Sequence, residues 1–399
     1  MPKAVIFLGD GMADEPLPEL NGKTPLEAAE TPAMDAIAAE GVNGLFLTLP
    51  GGLPTSSDVA NMSVLGFYPE RNYPGRGPIE AVSQGIRLAP DDVAWRCNLV
   101  TVSPEGVLKD FSAGHIDNGT AARLMRLLEE KLGDEKVTFH TGVSYRNLLV
   151  LHGAEFSDAV EYFKPDSSQD QPVADLPYTA KTPEAEHTVA FLNELRAKAH
   201  DVLASSGIVS GATDIWPWSP GHAPRLASFR ERYGRTGAVV SAVDVIRGIG
   251  RATGMTVADV PGATGFLDTD YAGKVAAALK MLETHDLVYL HVEAVDECSH
   301  MGDLQLKLRA IREFDAKIVA PVRAALKGRT DVNFAVLPDH PVPIRLRKHT
   351  TTPVPVALCG PSFRPDRVTA FGEEEAKQGA LGFRKGDELV RLLLGLEAL

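Results

Sequence analysis

The chain has 399 residues, of which 44% are hydrophobic and 23% are charged, and its formal net charge at pH 7 is −13. This length and composition predict a globular protein with a large core and two domains. The negative charge disfavours nucleic acid or an anionic membrane as the main partner, although it is compatible with a small phosphorylated metabolite in a locally basic pocket. Three cysteines without Cys-x-x-Cys spacing predict a cytoplasmic location. We expect no signal peptide and no membrane span, because no basic-then-apolar leader and no apolar run of about 18 residues is present.

The first predicted element is a buried strand, residues 4–8, which ends in Gly9-Asp10-Gly11. Asp10 would therefore lie at the carboxyl end of a strand, where open α/β sheets place their ligands. The alternative is that Asp10 only caps a common Asp-Gly turn. Residues 31–40 predict a helix that begins with a capping threonine and a proline, so the chain starts as the βα unit of a doubly wound sheet.

Small hydroxyl residues precede a second predicted helix, residues 59–65. Ser57 would lie at the N-terminus of this helix, where free N–H groups and the helix dipole favour negative charge. A serine in that position can act as a nucleophile whose phosphate is held by the helix end. The alternative is that Ser56 or Ser57 is simply an N-cap.

Basic residues stand out in the middle of the chain. Arg96 lies within a predicted strand, residues 94–102, and a buried arginine needs an anionic partner or an exit to solvent. His115 lies in a loop before a predicted helix, and Arg146 lies near the start of another strand. Residues 215–221 combine tryptophans with prolines, and we interpret them as a stiffened loop.

A strand with the apolar pattern of a sheet core is predicted at residues 287–292, and Asp296 and His300 follow it. These two residues are four apart, so a helical turn would bring them to one face with the spacing of metal ligands. The alternative is a surface pair with a weak Asp–His contact.

The last predicted core strand, residues 333–337, leads into Asp339 and His340, and the prolines that follow fix a rigid loop. His349 comes nine residues after His340, before a Pro-Val-Pro segment. A carboxylate and two imidazoles in stiffened loops suit a divalent metal. The alternative is that Asp339 caps a turn and both histidines are solvated loop residues.

The candidate carboxylates, the histidines at 300, 340 and 349, and Ser57 all follow predicted strands or lie in loops that leave such strands. In a doubly wound sheet such positions converge on one edge. These carboxylates and imidazoles are enough to hold two divalent ions. Two such ions clamp a phosphoryl group, and one of them lowers the pKa of a hydroxyl that is positioned for attack. The sequence therefore predicts a phosphoryl-transfer centre made of Asp10, Ser57, Asp296, His300, Asp339, His340 and His349.

Five motifs carry a family resemblance: Gly9-Asp10-Gly11, Ser57-Asp-Val-Ala-Asn-Met62, the segment 291–300, Asp339-His340, and the segment 349–355. In this order they resemble the alkaline phosphatase superfamily and, more closely, cofactor-independent phosphoglycerate mutases of the archaeal type. The resemblance runs over almost the whole length and includes the segments 75–78, 96–98, 112–115 and 262–265.

This resemblance implies an α/β fold, with an alkaline-phosphatase-like, doubly wound, mostly parallel sheet and an inserted smaller α+β domain. Residues 1–84 and 236–399 would form the metal-binding catalytic domain. Residues 85–235 would form a substrate-binding domain that closes over the site and keeps water from a phosphoserine, which separates a mutase from a phosphatase.

The implied activity is the interconversion of 3-phosphoglycerate and 2-phosphoglycerate without 2,3-bisphosphoglycerate, a step of glycolysis and gluconeogenesis. Ser57 would be the nucleophile. One metal would be held by Asp10, Ser57, Asp339 and His340, and the other by Asp296, His300 and His349. Manganese or magnesium is expected, and the histidine-rich ligand set also suits zinc. The implied substrate-binding residues are His115, Arg96, Arg76, Arg146 and Lys274.

Pro341 departs from the mutase pattern, which usually has glycine or a small polar residue after the Asp-His pair. The Pro-Asp-His-Pro form resembles a subgroup proposed to be homoserine kinases, so phosphate transfer to a small hydroxyl amino acid is the alternative activity. A third alternative is a binding or regulatory protein that kept the fold and lost the chemistry. Every ligand type that the family needs is present in this chain, which disfavours that third alternative.

Overall fold

The computed structural model describes residues 2–399, which form two compact units. The first unit comprises the residues up to Tyr73 together with Leu226–Leu399, and the second unit comprises Pro74–Arg225. The sequence predicted these divisions after residues 84 and 235, whereas the structure has them after residues 73 and 225. The first boundary differs because the helix Arg76–Ser83 packs on the strand Val93–Val102 of the second unit.

A large sheet forms the centre of the first unit. Its central strands are deeply buried and consist mainly of aliphatic and aromatic residues, as expected for parallel strands covered on both faces. All strands run in one direction except Val354–Cys359, which is antiparallel to both neighbours. This architecture confirms the predicted mostly parallel α/β fold. In spatial order the strands are Thr256–Val257, Gly237–Val240, Leu287–Val292, Lys3–Gly9, Val332–Leu337, Val354–Cys359, Gly41–Leu47 and Gly382–Lys385.

The helices of the first unit cover this sheet with apolar faces. Phe7, Val288 and Val336 of the central strands pack in one cluster with helical residues such as Ile37 and Ile311. The α-helices are Pro25–Ala28, Pro32–Ala39, Ser57–Val64, Pro69–Asn72, Phe229–Tyr233, Asp244–Ala252, Tyr271–Thr284, Ala294–Met301, Leu304–Phe314, Ala320–Ala325, Glu373–Ala376 and Glu388–Leu393. A 3₁₀ turn spans Pro18–Leu20, and a π-helical turn, Asp315–Val319, joins two of the α-helices.

The π-helical turn places a buried carboxylate at the start of another helix. Asp315 accepts hydrogen bonds from the backbone N–H groups of Met34 at 2.7 Å and Ala33 at 3.2 Å. These groups belong to the first turn of the helix Pro32–Ala39, whose N-cap residue Thr31 makes no side-chain capping bond. Asp315, from a distant part of the chain, therefore takes the capping role that the Thr31 side chain does not fill.

The second unit is built on an antiparallel sheet. The long strand Val93–Val102 pairs with Arg146–Leu151, Asp214–Gly221 and Leu108–Asp110, and Val137–Val143 pairs with Arg146–Leu151. Two short strands, Val160–Glu161 and Thr179–Ala180, form a separate pair. The α-helices are Arg76–Ser83, Asn118–Leu132 and Glu186–Ala204, with 3₁₀ turns at Asp166–Ser168, Val173–Asp175 and Pro183–Ala185.

The interpretation of residues 215–221 as a loop was wrong, because Asp214–Gly221 is a strand. Among the described residues it pairs only with Val93–Val102, so it is an edge strand, where a proline does not interrupt a ladder on its open side. Its two tryptophans are buried, and the Trp216 indole donates to the carbonyl of Phe163 at 2.9 Å. Within residues 2–399, no helix is long and apolar enough to cross a membrane.

Replacing Asp315 with alanine tests the distant cap. We expect the Asp315→Ala variant to lose about 1–2 kcal/mol of unfolding free energy, because two N–H groups of the helix Pro32–Ala39 lose their acceptor. Urea unfolding followed by circular dichroism measures this loss. Glu283→Ala, which removes an exposed carboxylate from the same unit, is the matched control. Equal unfolding midpoints for the two variants would contradict the assigned role.

Candidate metal centre

The sheet order brings the predicted ligands to one edge. Asp10 follows the strand Lys3–Gly9, and this strand lies between Leu287–Val292 and Val332–Leu337. Asp296 and Asp339 therefore follow its two immediate neighbours. His349 precedes the antiparallel strand Val354–Cys359, whose beginning lies at the same edge as the ends of the parallel strands.

The first group of ligand atoms comes from Asp10, Asp339 and His340, which are all buried and lie within 4.8 Å of one another. The Nε2 atom of His340 is 3.4 Å from Asp10 Oδ1 and 3.3 Å from Asp339 Oδ2. Asp339 Oδ1 accepts hydrogen bonds from the N–H groups of Gly11 and His340. The second carboxylate oxygen of Asp339 is thereby aimed at the group.

Ser57 lies beside this first group. It is the first residue of the helix Ser57–Val64, and its Oγ is 3.1 Å from His340 Nε2. Ser56 occupies the N-cap position, but its side chain makes no capping hydrogen bond. The Ser57 hydroxyl therefore faces the ligand atoms rather than its own helix.

The second group comprises Asp296, His300 and His349, whose ligand atoms also lie within 4.8 Å of one another. Asp296 and His300 are on the helix Ala294–Met301, where the four-residue spacing puts them on one face. The Nε2 atoms of His300 and His349 are 2.9 Å apart, and each is 3.4 Å from a carboxylate oxygen of Asp296. His300 Nδ1 lies 2.9 Å from the Arg347 carbonyl, which can only accept, so this nitrogen carries a proton and Nε2 points at the group.

The two groups adjoin. The rings of His340 and His349 are stacked with their centroids 3.8 Å apart. The arrangement thus has two neighbouring sets of oxygen and nitrogen atoms, with the Ser57 hydroxyl at the first set.

Two residues that the sequence reasoning missed hold Ser57 and Asp339 in place. The Asn61 amide donates to the Ser57 carbonyl at 2.7 Å and to Asp339 Oδ2 at 2.9 Å. The hydroxyl of buried Tyr289 donates in turn to the side-chain amide oxygen of Asn61, Oδ1. Asn61 stands one helical turn after Ser57, and that spacing is the signal from which its role could have been found.

His291 was also missed as a functional residue, although it lies in an otherwise apolar strand. Its Nε2 is 2.9 Å from Asp10 Oδ2, and its Nδ1 is 3.1 Å from Ser241 Oγ. When Asp10 is ionised it can only accept, so His291 Nε2–H donates to it and His291 Nδ1 accepts from the serine. Burial lowers the pKa of His291 to about 3, which keeps the imidazole neutral in this role.

The residues fit a divalent cation. Asp10 Oδ1 and Asp296 Oδ1 are buried and have no hydrogen-bond partner within residues 2–399. Burial raises the pKa of Asp10 well above its ordinary value, and the charge of Asp339 raises it further. Burial also raises the pKa of Asp339, to about 6. Buried carboxylates this close together are stable as anions only with a positive charge between them.

The second group has a different charge balance. Burial lowers the pKa of His300, but the hydrogen bond and the charge of Asp296 outweigh burial and raise this pKa to about 9. Burial raises the pKa of Asp296, but His300 and His349 outweigh it and hold the pKa well below its ordinary value. Carboxylate and imidazole together suit manganese, magnesium or zinc.

Three of the predicted substrate-binding residues contribute positive charge in the second unit. Buried Arg96 and half-buried Arg76 both form ion pairs with Glu80, and Arg76 Nε is 2.7 Å from this carboxylate. Burial raises the pKa of Glu80, but the charges of Arg96 and Arg76, together with Arg146, outweigh burial and lower it. One carboxylate faces three guanidinium groups, so the cluster has an excess of positive charge suited to an anion. Glu80, which orients the arginines, was not predicted.

The other two predicted substrate-binding residues, His115 and Lys274, have different surroundings. His115 is exposed in a loop where Ala113 and His115 both have left-handed backbone conformations, with φ of 52° and 51°. Such strain is concentrated at functional sites, and Asp110 stabilises the loop by accepting from the N–H groups of Ser112 and Gly114. Lys274 is buried in the first unit, where its ammonium lies 3.3 Å from the His291 carbonyl. Burial lowers the pKa of Lys274 to about 8.

Comparison with known proteins places this geometry in one family. A sequence model described as 2,3-bisphosphoglycerate-independent phosphoglycerate mutase matches residues 38–208. A protein of that name from Methanosarcina barkeri is 44% identical, over 98% of this chain and 99% of its own length. A solved structure of a Pyrococcus horikoshii protein is similar with a TM-score of 0.82 and 26% identity, covering 99% of this chain and 97% of that one. The cofactor-independent phosphoglycerate mutase from Thermoplasma acidophilum is similar with a TM-score of 0.66 and 26% identity, covering 99% and 100%.

The pKa values of Asp339 and His300 predict how manganese affinity depends on pH. Both groups must be deprotonated to bind a cation, so protons compete with the metal below about pH 9 at His300 and below about pH 6 at Asp339. We expect the dissociation constant for Mn²⁺ to rise as the pH falls, by about tenfold per pH unit for each proton displaced.

Isothermal titration of the metal-free protein with Mn²⁺ between about pH 6 and about pH 8 measures this dependence. The His300→Ala variant should show weaker binding and a shallower pH dependence, whereas His285→Ala, a change outside both groups, should behave as the parent protein. A dissociation constant that does not change over this range would contradict the ligand set.

Proposed function

The chain belongs to the family of 2,3-bisphosphoglycerate-independent phosphoglycerate mutases, and we propose that it interconverts 3-phosphoglycerate and 2-phosphoglycerate through a phosphoserine at Ser57. Family membership rests on identity over nearly the full length of both chains. The observation that supports the proposed route is the position of the Ser57 hydroxyl, 3.1 Å from His340 Nε2 at the first ligand group.

In this proposal Asp10, Ser57, Asp339 and His340 hold one divalent ion, and Asp296, His300 and His349 hold the other. Manganese or magnesium is the expected metal, and zinc also fits the nitrogen ligands. Bound divalent ions would lower the pKa of the serine hydroxyl and neutralise charge on the phosphoryl oxygens.

Ser57 carries the covalent step. Its Oγ attacks the phosphorus of 3-phosphoglycerate, the bond to the glycerate 3-oxygen breaks, and that oxygen gains a proton equivalent to the one that Ser57 loses. The 2-hydroxyl of the retained glycerate then attacks the phosphoserine, loses its proton and returns Ser57 to its starting state. The first N–H groups of the helix Ser57–Val64 favour the negative charge of the transferring group.

The proposed role of the second unit is to bind the anionic groups of the substrate. The excess positive charge of Arg76, Arg96 and Arg146 over Glu80 supports this role, because guanidinium groups bind phosphate and carboxylate with two parallel hydrogen bonds. His115 in its strained loop and Lys274 in the first unit are further proposed substrate ligands. We also propose that the second unit excludes water from the phosphoserine, which would otherwise be hydrolysed.

Pro341 lies among buried backbone contacts of the first unit. Its carbonyl accepts from the N–H of Thr350 at 3.0 Å, and it forms isolated bridges with Met12 and Ala13. These contacts link the loops on which the ligands stand, which supports a scaffolding role for Pro341. Such a role is compatible with either acceptor, so the phosphoglycerate assignment follows the family and not this residue.

An activity assay with matched serine variants tests the proposed route. We expect the protein with Mn²⁺ to convert 3-phosphoglycerate to 2-phosphoglycerate, and Ser57→Ala to lower kcat by about 10³-fold or more, because the nucleophile is lost. Ser56→Ala is the control, since this neighbouring serine makes no capping bond. Mass spectrometry of the quenched protein should find phosphate on Ser57.

Two results would overturn the proposal. One is formation of 2-phosphoglycerate at the same rate by the parent protein and the Ser57→Ala variant. The other is phosphorylation of homoserine from a phosphate donor by a protein that leaves 3-phosphoglycerate unchanged, which would establish the alternative acceptor.

Replacing Arg76 with methionine tests the substrate-binding role of the second unit. We expect the Arg76→Met variant to raise the KM for 3-phosphoglycerate by about tenfold or more, because the substrate loses one charge-assisted hydrogen bond. Methionine keeps most of the side-chain volume, and Glu80 keeps its pair with Arg96. Arg87→Met, which removes an exposed arginine from the same unit, should leave KM unchanged. Equal KM values for both variants would refute the role of Arg76.

A further inference from the structure

A fully buried ion pair lies beneath the first ligand group. Lys307, on the helix Leu304–Phe314, and Asp14 both have side chains that are 0% exposed, and Lys307 Nζ lies 2.7 Å from Asp14 Oδ2. Removing two charges from water is costly, and such a pair contributes little to stability compared with apolar residues of the same volume. Its presence therefore calls for an explanation other than core packing.

The Lys307 ammonium binds the two loops that bear the first ligand group. Besides Asp14, it donates to the carbonyl of Ala13 at 3.4 Å and to the carbonyl of Val342 at 2.9 Å. Ala13 and Asp14 belong to the loop that follows Asp10. Val342 belongs to the loop that follows Asp339 and His340.

The Asp14 carboxylate joins the same two loops. Its Oδ2 accepts from the N–H of Ile344 at 3.1 Å as well as from Lys307. The N–H of Val342 donates to the Ala13 carbonyl at 3.1 Å, so backbone and side-chain bonds run in parallel between the loops. On its other side Asp14 is fixed by its N–H, which donates to Glu373 Oε1 at 3.0 Å.

These contacts oppose a specific force. When both are ionised, as cation binding requires, the carboxylates of Asp10 and Asp339 repel each other in a buried environment, which favours separation of the loops that bear them. We propose that Lys307 and Asp14 form a positioning pair that holds the loops of Asp10 and of Asp339–His340 at the separation that a divalent ion requires. The inference rests on the proposed metal centre and assigns a task to residues outside the ligand set.

Removing the ammonium group should weaken metal binding. We expect Lys307→Met to raise the dissociation constant for Mn²⁺ at the first group by about 10- to 100-fold, as is typical when residues that orient metal ligands are lost. Raising the Mn²⁺ concentration should then recover much of kcat, with little change in the KM for 3-phosphoglycerate. Lys317→Met is the matched control, since Lys317 is exposed on the adjoining π-helical turn and contacts neither loop.

A double variant separates positioning from folding. Lys307→Met alone leaves the Asp14 carboxylate buried without its partner, whereas Asp14→Leu combined with Lys307→Met removes both charges, a change that folded proteins often tolerate. Circular dichroism and thermal unfolding report whether each variant is folded. A folded double variant with weakened Mn²⁺ binding supports the inference, and a folded single or double variant that binds Mn²⁺ as tightly as the parent protein overturns it. Loss of folding in both variants also overturns it, because the pair would then be structural.

The test of the positioning pair does not depend on the proposed mutase activity. Mn²⁺ binding is measured directly on the parent protein and the variants, without substrate. A parent protein that binds Mn²⁺ but forms no 2-phosphoglycerate would defeat the proposed function and leave the positioning pair intact.

Discussion

Repulsion between buried carboxylates is the constraint on which the centre of this protein depends. Asp10 and Asp339 end neighbouring strands of the large sheet, and burial raises the pKa of both. His291 contacts one oxygen of Asp10, whereas the Gly11 N–H and the Asn61 amide donate to the two different oxygens of Asp339. These donors do not neutralise the two carboxylates, so negative charge remains beside the Ser57 hydroxyl. A site that binds cations follows from this imbalance, as does the need for loops stiff enough to keep the carboxylates together.

Sheet topology converts distant sequence segments into one centre. Three adjacent parallel strands end at the edge where Asp10, Asp296 and Asp339 stand, and the antiparallel strand Val354–Cys359 begins there, close to His349. Because that one strand is reversed, His349 lies at the same edge as His340, and the rings of the two histidines stack. A parallel strand in its place would put its beginning, and the residues before it, at the opposite edge of the sheet.

The sequence signals that point to the candidate ligand residues are local. Asp10, Asp296 and Asp339 each follow an apolar run, and the spacing of Asp296 and His300 is one helical turn. The supporting residues His291 and Lys307 have no such local signal, because their partners are distant: His291 is 281 residues from Asp10, and Lys307 is 293 residues from Asp14. The strand Asp214–Gly221 was mistaken for a loop because proline and tryptophan content does not reveal whether a strand lies at a sheet edge.

The sequence by itself determined the fold class, the family and the residue types of the candidate metal centre, because apolar periodicity and short motifs depend on neighbouring residues alone. Only the tertiary structure decided that one oxygen of Asp10 and one of Asp296 have no hydrogen-bond partner within residues 2–399, which imidazole nitrogen of His300 faces the ligand atoms, and that Ser57 points at His340 rather than capping its helix. It also decided that Lys307 is buried between the loops of two ligand segments. These properties depend on hydrogen bonds and burial between segments far apart in the chain, and such contacts exist only once the sheet has assembled.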